Sequence, residues 1–278
     1  MKLYDTHFHF TGEATPAEYL AEVSADGERA ATSLGRTGEL PELWYTCVGG
    51  DHMESLRARE FARMVPHCRF AVGVHPHEAA EHLKTKEDFS VFRGDPLLVA
   101  VGELGLDYYY ELSDRPAQRQ VFAKFLDLAR EWDLPAVVHL RDRDGADDAY
   151  REALELLTPF AKSGGRFEVH CYAGTREYLK RFLDLGAYVG VTGMVTFRAA
   201  ENIRSNLTQI PADRLLIETD SPYLAPVPFR GGENTPGLLI LAAAEAARVR
   251  GTTLEELAEL TWRNAAEFFR LGGGDGDE

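Results

Sequence analysis

The 278-residue sequence contains nine histidines, and their placement raises the question of chemistry at once. His7 and His9 lie two residues apart near the end of an apolar run. His75 and His77 follow another run with the same spacing, and His139 and His170 each lie at the end of a further run. Glu103 sits within an apolar stretch and Asp220 near the end of one. Imidazoles and carboxylates are costly to bury without partners. A set of them at one end of several strands is the donor set that divalent cations use. A lone strand histidine is ordinarily a satisfied core residue, so the recurrence at strand ends carries the argument. Residues i and i+2 of a strand point to one side, which lets His7 and His9 grip one ion together. The set mixes nitrogen with oxygen and has no sulfur. That suits Zn, Mn or Co, and Mg less well where imidazoles dominate. His52, His67 and His82 fall in segments that read as loops or exposed helices, where they are expected only to be solvated.

The elements that must position these groups read as alternating strands and helices. Short apolar runs occur at Leu3–Phe10, Leu43–Gly49, Arg69–Pro76, Leu97–Asp107, Pro135–Arg141, Arg166–Ala173, Ala187–Gly193 and Arg214–Ser221. Runs apolar on both faces suit parallel strands covered by helices. Between them, Asp114 can cap a helix to about Trp132, with Pro116 in its first turn. Thr175 can cap another, which Gly186 stops. The last two helical segments are about Thr235–Arg250 and Leu254–Leu271. Eight strand–helix units in one domain over 1–271 predict a (β/α)8 TIM barrel, a fold of ~250 residues with its catalytic groups on the C-terminal face. A doubly wound open sheet would bring a Gly-rich phosphate fingerprint after an early strand, and none follows Phe10. The tail, 272–278, is glycine and acid and is expected to be disordered.

Composition narrows the partners. The net charge of −15 repels polyanions at long range, so a basic stripe wrapping duplex DNA is not expected. One phosphate at a metal site remains compatible, because a bound cation dominates its local field. Cys47, Cys68 and Cys171 are scattered with no C-x-x-C pair, which reads as reduced thiols rather than a disulfide framework. The N-terminus lacks an apolar leader and no run reaches the length of a membrane span. A cytoplasmic protein is expected, and a monomer by default.

Taken in order, several stretches resemble the TatD family of metal-dependent deoxyribonucleases, within the amidohydrolase-like barrels. They are Asp5-Thr6-His7-Phe8-His9, Gly73-Val74-His75-Pro76-His77, Gly102-Glu103-Leu104-Gly105-Leu106-Asp107-Tyr108 and Val138-His139-Leu140-Arg141-Asp142. His170-Cys171-Tyr172-Ala173-Gly174, Glu218-Thr219-Asp220-Ser221-Pro222 and Arg230-Gly231-Gly232-Glu233-Asn234-Thr235-Pro236 complete the series. The resemblance runs from Met1 to about Leu271. It implies two adjacent divalent ions (Mg, Mn or Zn), the first held by His7, His9, Glu103 and Asp220. The second would be held by Glu103, His139 and His170, with Glu103 bridging. His75, with His77 beside it, matches the family's substrate pocket, and Arg141, Arg230 and Asn234 match polar positions around the mouth. The sequence departs from the family at Phe10-Thr11-Gly12 and over residues 21–41.

The resemblance implies hydrolysis of DNA phosphodiesters, expected as exonuclease action on single-stranded ends. Two ions ~3.5–4 Å apart would activate a water between them. Asp220 is the carboxylate expected to take its proton, with Glu103 bridging and His75 contacting the phosphate. Glu218, two residues before Asp220, is expected to hold a ligand's orientation. Asp107 and Tyr108 are open between ligand support and substrate contact. The same barrel could hydrolyse an amide or ester, including that of an aminoacyl-tRNA. A metal-binding module without catalysis is the remaining reading, and it would be expected to lack one or more of the ligand positions that are filled here.

Overall fold

A computed structural model describes residues 1–38 and 40–271. The strands are β1 (Lys2–Phe8), β2 (Glu42–Val48), β3 (Cys68–Val72), β4 (Leu98–Asp107), β5 (Ala136–Arg141), β6 (Phe167–Val169), β7 (Tyr188–Val191) and β8 (Leu215–Ile217). They form one parallel sheet in chain order. The ring closes between β8 and β1 through an isolated parallel bridge, Phe8 opposite Ser221. There His9 N donates to Ser221 O (2.8 Å) and Asp220 N to His7 O (2.9 Å). The fold is the expected (β/α)8 barrel.

Helices α1 (Pro16–Ser33), α2 (His52–Met64), α3 (Ala79–Thr85), α4 (Arg115–Trp132), α5 (Asp148–Lys162), α6 (Arg176–Asp184), α7 (Glu201–Leu207) and α8 (Leu239–Arg250) alternate with the strands. Local chemistry sets their ends. Asp114 and Thr175 cap α4 and α6 as the sequence predicts, accepting from the N–H groups of Ala117 and Tyr178. Pro236 opens a short 3-10 turn, so α8 begins at Leu239 rather than Thr235. The segment 21–41 carries most of α1, whose capping box joins Thr15 and Glu18. Its buried Asp26 accepts from Thr235 Oγ1 at 2.8 Å. A Cβ on Gly237 would stand 2.1 Å from Val23 O, so only glycine lets α1 approach the start of α8 this closely. The departure over 21–41 therefore braces the loop that follows β8.

Apolar residues form two layers. One lies between strands and surrounding helices. The other fills the barrel, where Tyr4, Trp44, Ala71, Val99, Val137, Tyr188 and Leu216 from seven of the eight strands meet Ala265, Phe268 and Phe269. Those last three belong to α9 (Leu254–Phe269), which closes the N-terminal end of the barrel. The opposite end is left for polar side chains. The predicted tail 272–278 lies outside the described residues. No helix among the described residues is long and apolar enough to cross a membrane.

The structure corrects the expectation for His82, which is buried rather than solvated (3% exposed). Its ring packs edge-on to Phe89 and Phe125, and Nε2 lies 2.8 Å from Lys124 Nζ. An ammonium only donates, so Nε2 accepts and the imidazole is neutral. Burial, and then the Lys124 charge, lowers its pKa from 6.5 to about 4. A histidine whose folded pKa is depressed contributes stability that is present above 6.5 and lost as pH falls toward 4. The stability advantage of the wild type over His82→Gln should therefore shrink by up to about 3 kcal/mol between pH 7 and pH 4. Urea unfolding at several pH values measures it, and a pH-independent difference would overturn the assignment.

Candidate metal centre

Glu103, buried in the middle of β4, is the hub of the polar end. Its Oε2 lies 3.5 Å from His7 Nε2 and 3.6 Å from His9 Nε2. Its Oε1 lies 2.8 Å from His139 Nδ1 and 3.8 Å from both His75 Nε2 and His170 Nε2. Asp220 Oδ1 is 3.6 Å from His170 Nε2, 3.7 Å from His9 Nε2 and 3.9 Å from His7 Nε2. Three groups each bring their donor atoms within 4.8 Å of one another: His7, His9 and Glu103; His7, His170 and Asp220; His75, Glu103 and His139. Donors ~2.1 Å from a common ion stand roughly 3–4 Å apart, so these spacings suit divalent cations.

Backbone irregularities aim these side chains. Between Asp5 and Phe8, β1 carries one residue more than β2, and between Val101 and Leu104, β4 carries one more than β5. A bulge of this kind re-aims side chains. Tyr4 faces the interior against Phe269, and strict alternation would send Phe8 there too. Instead Phe8 packs outward on Tyr19 and Phe61, and His7 turns in. Three predicted strands end early, at Val72, Val169 and Ile217, so His75, His170 and Asp220 stand on the loops just beyond. Asp220 adopts a left-handed backbone (φ 56°), a conformation costly for a residue with a Cβ. The bond from its N–H to His7 O helps fix it there.

A further ring of contacts orients the imidazoles. His9 Nδ1 lies 2.9 Å from Val48 O, His139 Nε2 3.1 Å from Asp107 Oδ2, and His170 Nδ1 2.9 Å from Glu218 Oε1. Glu218 also accepts from the Cys171 N–H at 2.6 Å. A Cβ on Gly190 would come within 2.3 Å of Glu218 Oε1, so glycine makes room for this carboxylate. Beneath the hub, Glu168 is fully buried with both oxygens unpartnered, and His7 Nδ1 is likewise unpartnered. Glu168, Glu218 and His7 again gather within 4.8 Å.

The electrostatics favour positive charge at this end of the barrel. Burial by itself would raise the Glu103 carboxyl, but His75, His7 and His139 outweigh it and hold it well below its ordinary value. Burial likewise opposes ionisation of Asp220, and the nearby His170, His9 and His7 lower it. His139 is pushed up to about 9 because Asp107 and Glu103 overcome its desolvation. His170 rises well above 6.5 beside Glu218 and Asp220, again against its burial. His75 is lowered to about 3 by burial. His139 and His170 are thus biased toward their protonated forms, whose charge a bound metal ion would replace. A divalent ion held by these donors could polarise an ester or phosphoryl group and lower the pKa of a bound water.

The expected site residues fall into four sets. His7, His9, His75, Glu103, His139, His170 and Asp220 converge, and Glu218 backs them. His77 lies beside them, its Nε2 3.2 Å from Asp107 Oδ2. Arg141 and Arg230 are exposed, the first over Tyr109 and Tyr110 and the second over Phe197. Asn234 does not match the expected rim position: it is buried, and its amide donates to Thr219 O (3.0 Å) and Tyr223 O (2.7 Å), pinning the loop around Asp220. Asp107, left open by the sequence, touches His139 and His77, whereas buried Tyr108 points its hydroxyl to Glu152 at 2.8 Å. Glu168 and Asp5 were missed. Glu168 lies two residues before His170, the same spacing that singles out Glu218 before Asp220. Asp5 likewise lies two residues before His7, and it accepts from Thr219 N and Oγ1.

Residues 4–270 match the family of TatD related DNases. An uncharacterized metal-dependent hydrolase, YcfH of Escherichia coli K12, is 39% identical over 202 residues, 73% of this chain and 74% of its own length. The 3'-5' ssDNA/RNA exonuclease TatD of Salmonella typhimurium is 35% identical over 230 residues, 81% of this chain and 86% of its own. Among solved structures, the TatD homologue YJJV of Escherichia coli K12 aligns with a TM-score of 0.77 at 24% identity, covering 97% of this chain and 98% of its own, a likeness of fold. With ordered motifs, a (β/α)8 barrel and a histidine–carboxylate centre at its C-terminal end, the chain belongs to the TatD-related DNase family of metal-dependent hydrolases.

Proposed function

We propose that this protein is a two-metal phosphodiesterase that trims single-stranded nucleic acid from its ends. The observation that carries the reading is Glu103, whose two oxygens face two different sets of imidazoles. On this reading His7, His9, Glu103 and Asp220 hold one divalent ion, and Glu103, His139 and His170 hold the other. The spacing adds His75 to the second set, beside the phosphate contact expected of it. The Salmonella relative's name as a single-strand exonuclease supports the substrate class.

When bound, such ions supply Lewis acidity to phosphoryl oxygens and lower the pKa of a coordinated water. The chain's own groups do the rest. Glu103 stays ionised between the two positions. Asp220, partly open to the mouth and ionised, accepts the water's proton. His75 is neutral at pH 7 and offers an N–H toward a phosphate oxygen. Glu218 keeps the His170 ring in place from behind. An amide or ester, an aminoacyl-tRNA ester included, would use the same donors, and the assay below separates the two.

Metal-stripped protein given Mn2+ or Mg2+ should shorten a 3′- or 5′-labelled single-stranded DNA, and the ladder gives the polarity. Asp220→Ala should lower turnover on the order of 10²- to 10⁴-fold, and Glu103→Ala should abolish it with the fold intact by circular dichroism. An inactive wild type with ions bound would move the reading to an ester or amide. Metal binding should also release protons at pH 7, because His139 and His170 hold them in the metal-free protein. Apparent metal affinity should therefore rise with pH up to about 9, the pKa of His139. Calorimetry in buffers of different ionisation enthalpy reads the release, and none would contradict the imidazole ligands.

A further inference from the structure

Immediately after β4 the chain turns through three tyrosines. Tyr108 is buried, but Tyr109 and Tyr110 leave 42% and 52% of their surface open to solvent. Their rings meet edge to face, with centroids 4.8 Å apart. The Arg141 guanidinium stacks over both, at 4.3 Å and 4.8 Å from the centroids. The result is an exposed aromatic surface with a positive charge laid on it.

The cluster is fixed to the metal centre. Asp107 Oδ1 accepts the backbone N–H groups of Tyr109 (3.0 Å) and Tyr110 (2.9 Å). Its Oδ2 lies 3.1 Å from His139 and 3.2 Å from His77. One carboxylate thus sets both the tyrosine turn and an imidazole that touches Glu103. Tyr110 is one ring beyond His77 (5.7 Å), and His77 adjoins His75 (4.3 Å). Arg141 lies two residues beyond His139 on β5.

Exposed rings beside a polar site suit a ligand that is flat, apolar on its faces and attached to an anion. A nucleobase with its phosphate has that form. The base stacks on an aromatic ring, the guanidinium adds a cation–π or phosphate contact, and any base serves because every base has a π-face. We propose that Tyr109, Tyr110 and Arg141 form the subsite that stacks the nucleobase next to the scissile phosphodiester. This rests on the nuclease reading and deepens it. Stacking recognition requires a base free of its duplex neighbours, so the subsite selects single strands. It also lets a chain of net charge −15 hold a polyanion without a broad basic surface.

The test compares a single-stranded oligonucleotide with one of equal length whose terminal residues are abasic, both with Mn2+ present. The wild type should show a KM about 10- to 100-fold lower for the base-bearing strand. The Tyr109→Ala/Tyr110→Ala double variant should lose that preference, its KM rising to the abasic value with kcat little changed. The Tyr109→Phe/Tyr110→Phe pair should retain it, because the faces remain. If the alanine pair keeps the wild-type KM, or weakens both substrates equally, the subsite assignment is wrong while the nuclease reading stands. If the wild type cleaves neither strand, the nuclease reading falls and takes the subsite with it.

Discussion

Glu103 carries a negative charge where burial alone would keep it protonated, and the surrounding imidazoles are what hold that charge. Much of the polar end follows from this balance. Glu168, buried without a partner, is driven toward its neutral form by desolvation, while Asp107 and Asp220 place further charge around the same imidazoles. Isolated buried charges of this kind cost several kcal/mol each. Concentrated in one place, they make a site with a strong appetite for positive charge, which protons or metal ions can satisfy. The apolar layer and the α9 plug let the barrel tolerate such a site at one end only.

The second requirement is geometric. A regular strand shows alternate faces, and a regular β1, with Tyr4 inward, would send His7 outward. An extra residue in β1 turns His7 into the mouth, and β4 carries a matching irregularity beside Glu103. Short strands do the same for His75, His170 and Asp220, which leave the ladder to reach the centre from loops. Precision in the site thus comes from departures from regular structure, held by specific contacts such as Asp220 N to His7 O.

Much of this was legible in the sequence. Eight apolar runs separated by capped helices gave the barrel, since parallel strands buried on both faces show as continuous apolar stretches. The converging ligand-type residues were legible because histidines at several strand ends have no inexpensive apolar explanation. Strand ends were less so: β6 stops at Val169 and β8 at Ile217, which leaves His170 and Asp220 beyond the ladder although both fall within the runs. Glu168 was available from the two-residue spacing and was overlooked. Asp5, two residues before His7, was available on the same spacing. His82 and Asn234 failed for a common reason. Their neighbours come from distant segments, Phe125 and Lys124 for one and Thr219 and Tyr223 for the other, and local pattern carries no record of such packing.

The closure between β8 and β1 rests on an isolated bridge rather than a full ladder. His7 and His9 stand on one side of that seam and Asp220 on the other, some of the most distant residues along the chain. An ion gripped by all three would act as a cross-link, tying the beginning of the barrel to its end across a loop of more than 200 residues. Closing so long a loop is entropically expensive in the unfolded chain, and a ligand that binds only the closed form stabilises it by mass action. The catalytic centre and the clasp of the barrel would then be one object. Loss of metal would loosen the ring where its two ends meet, leaving the other strand pairs to their own ladders.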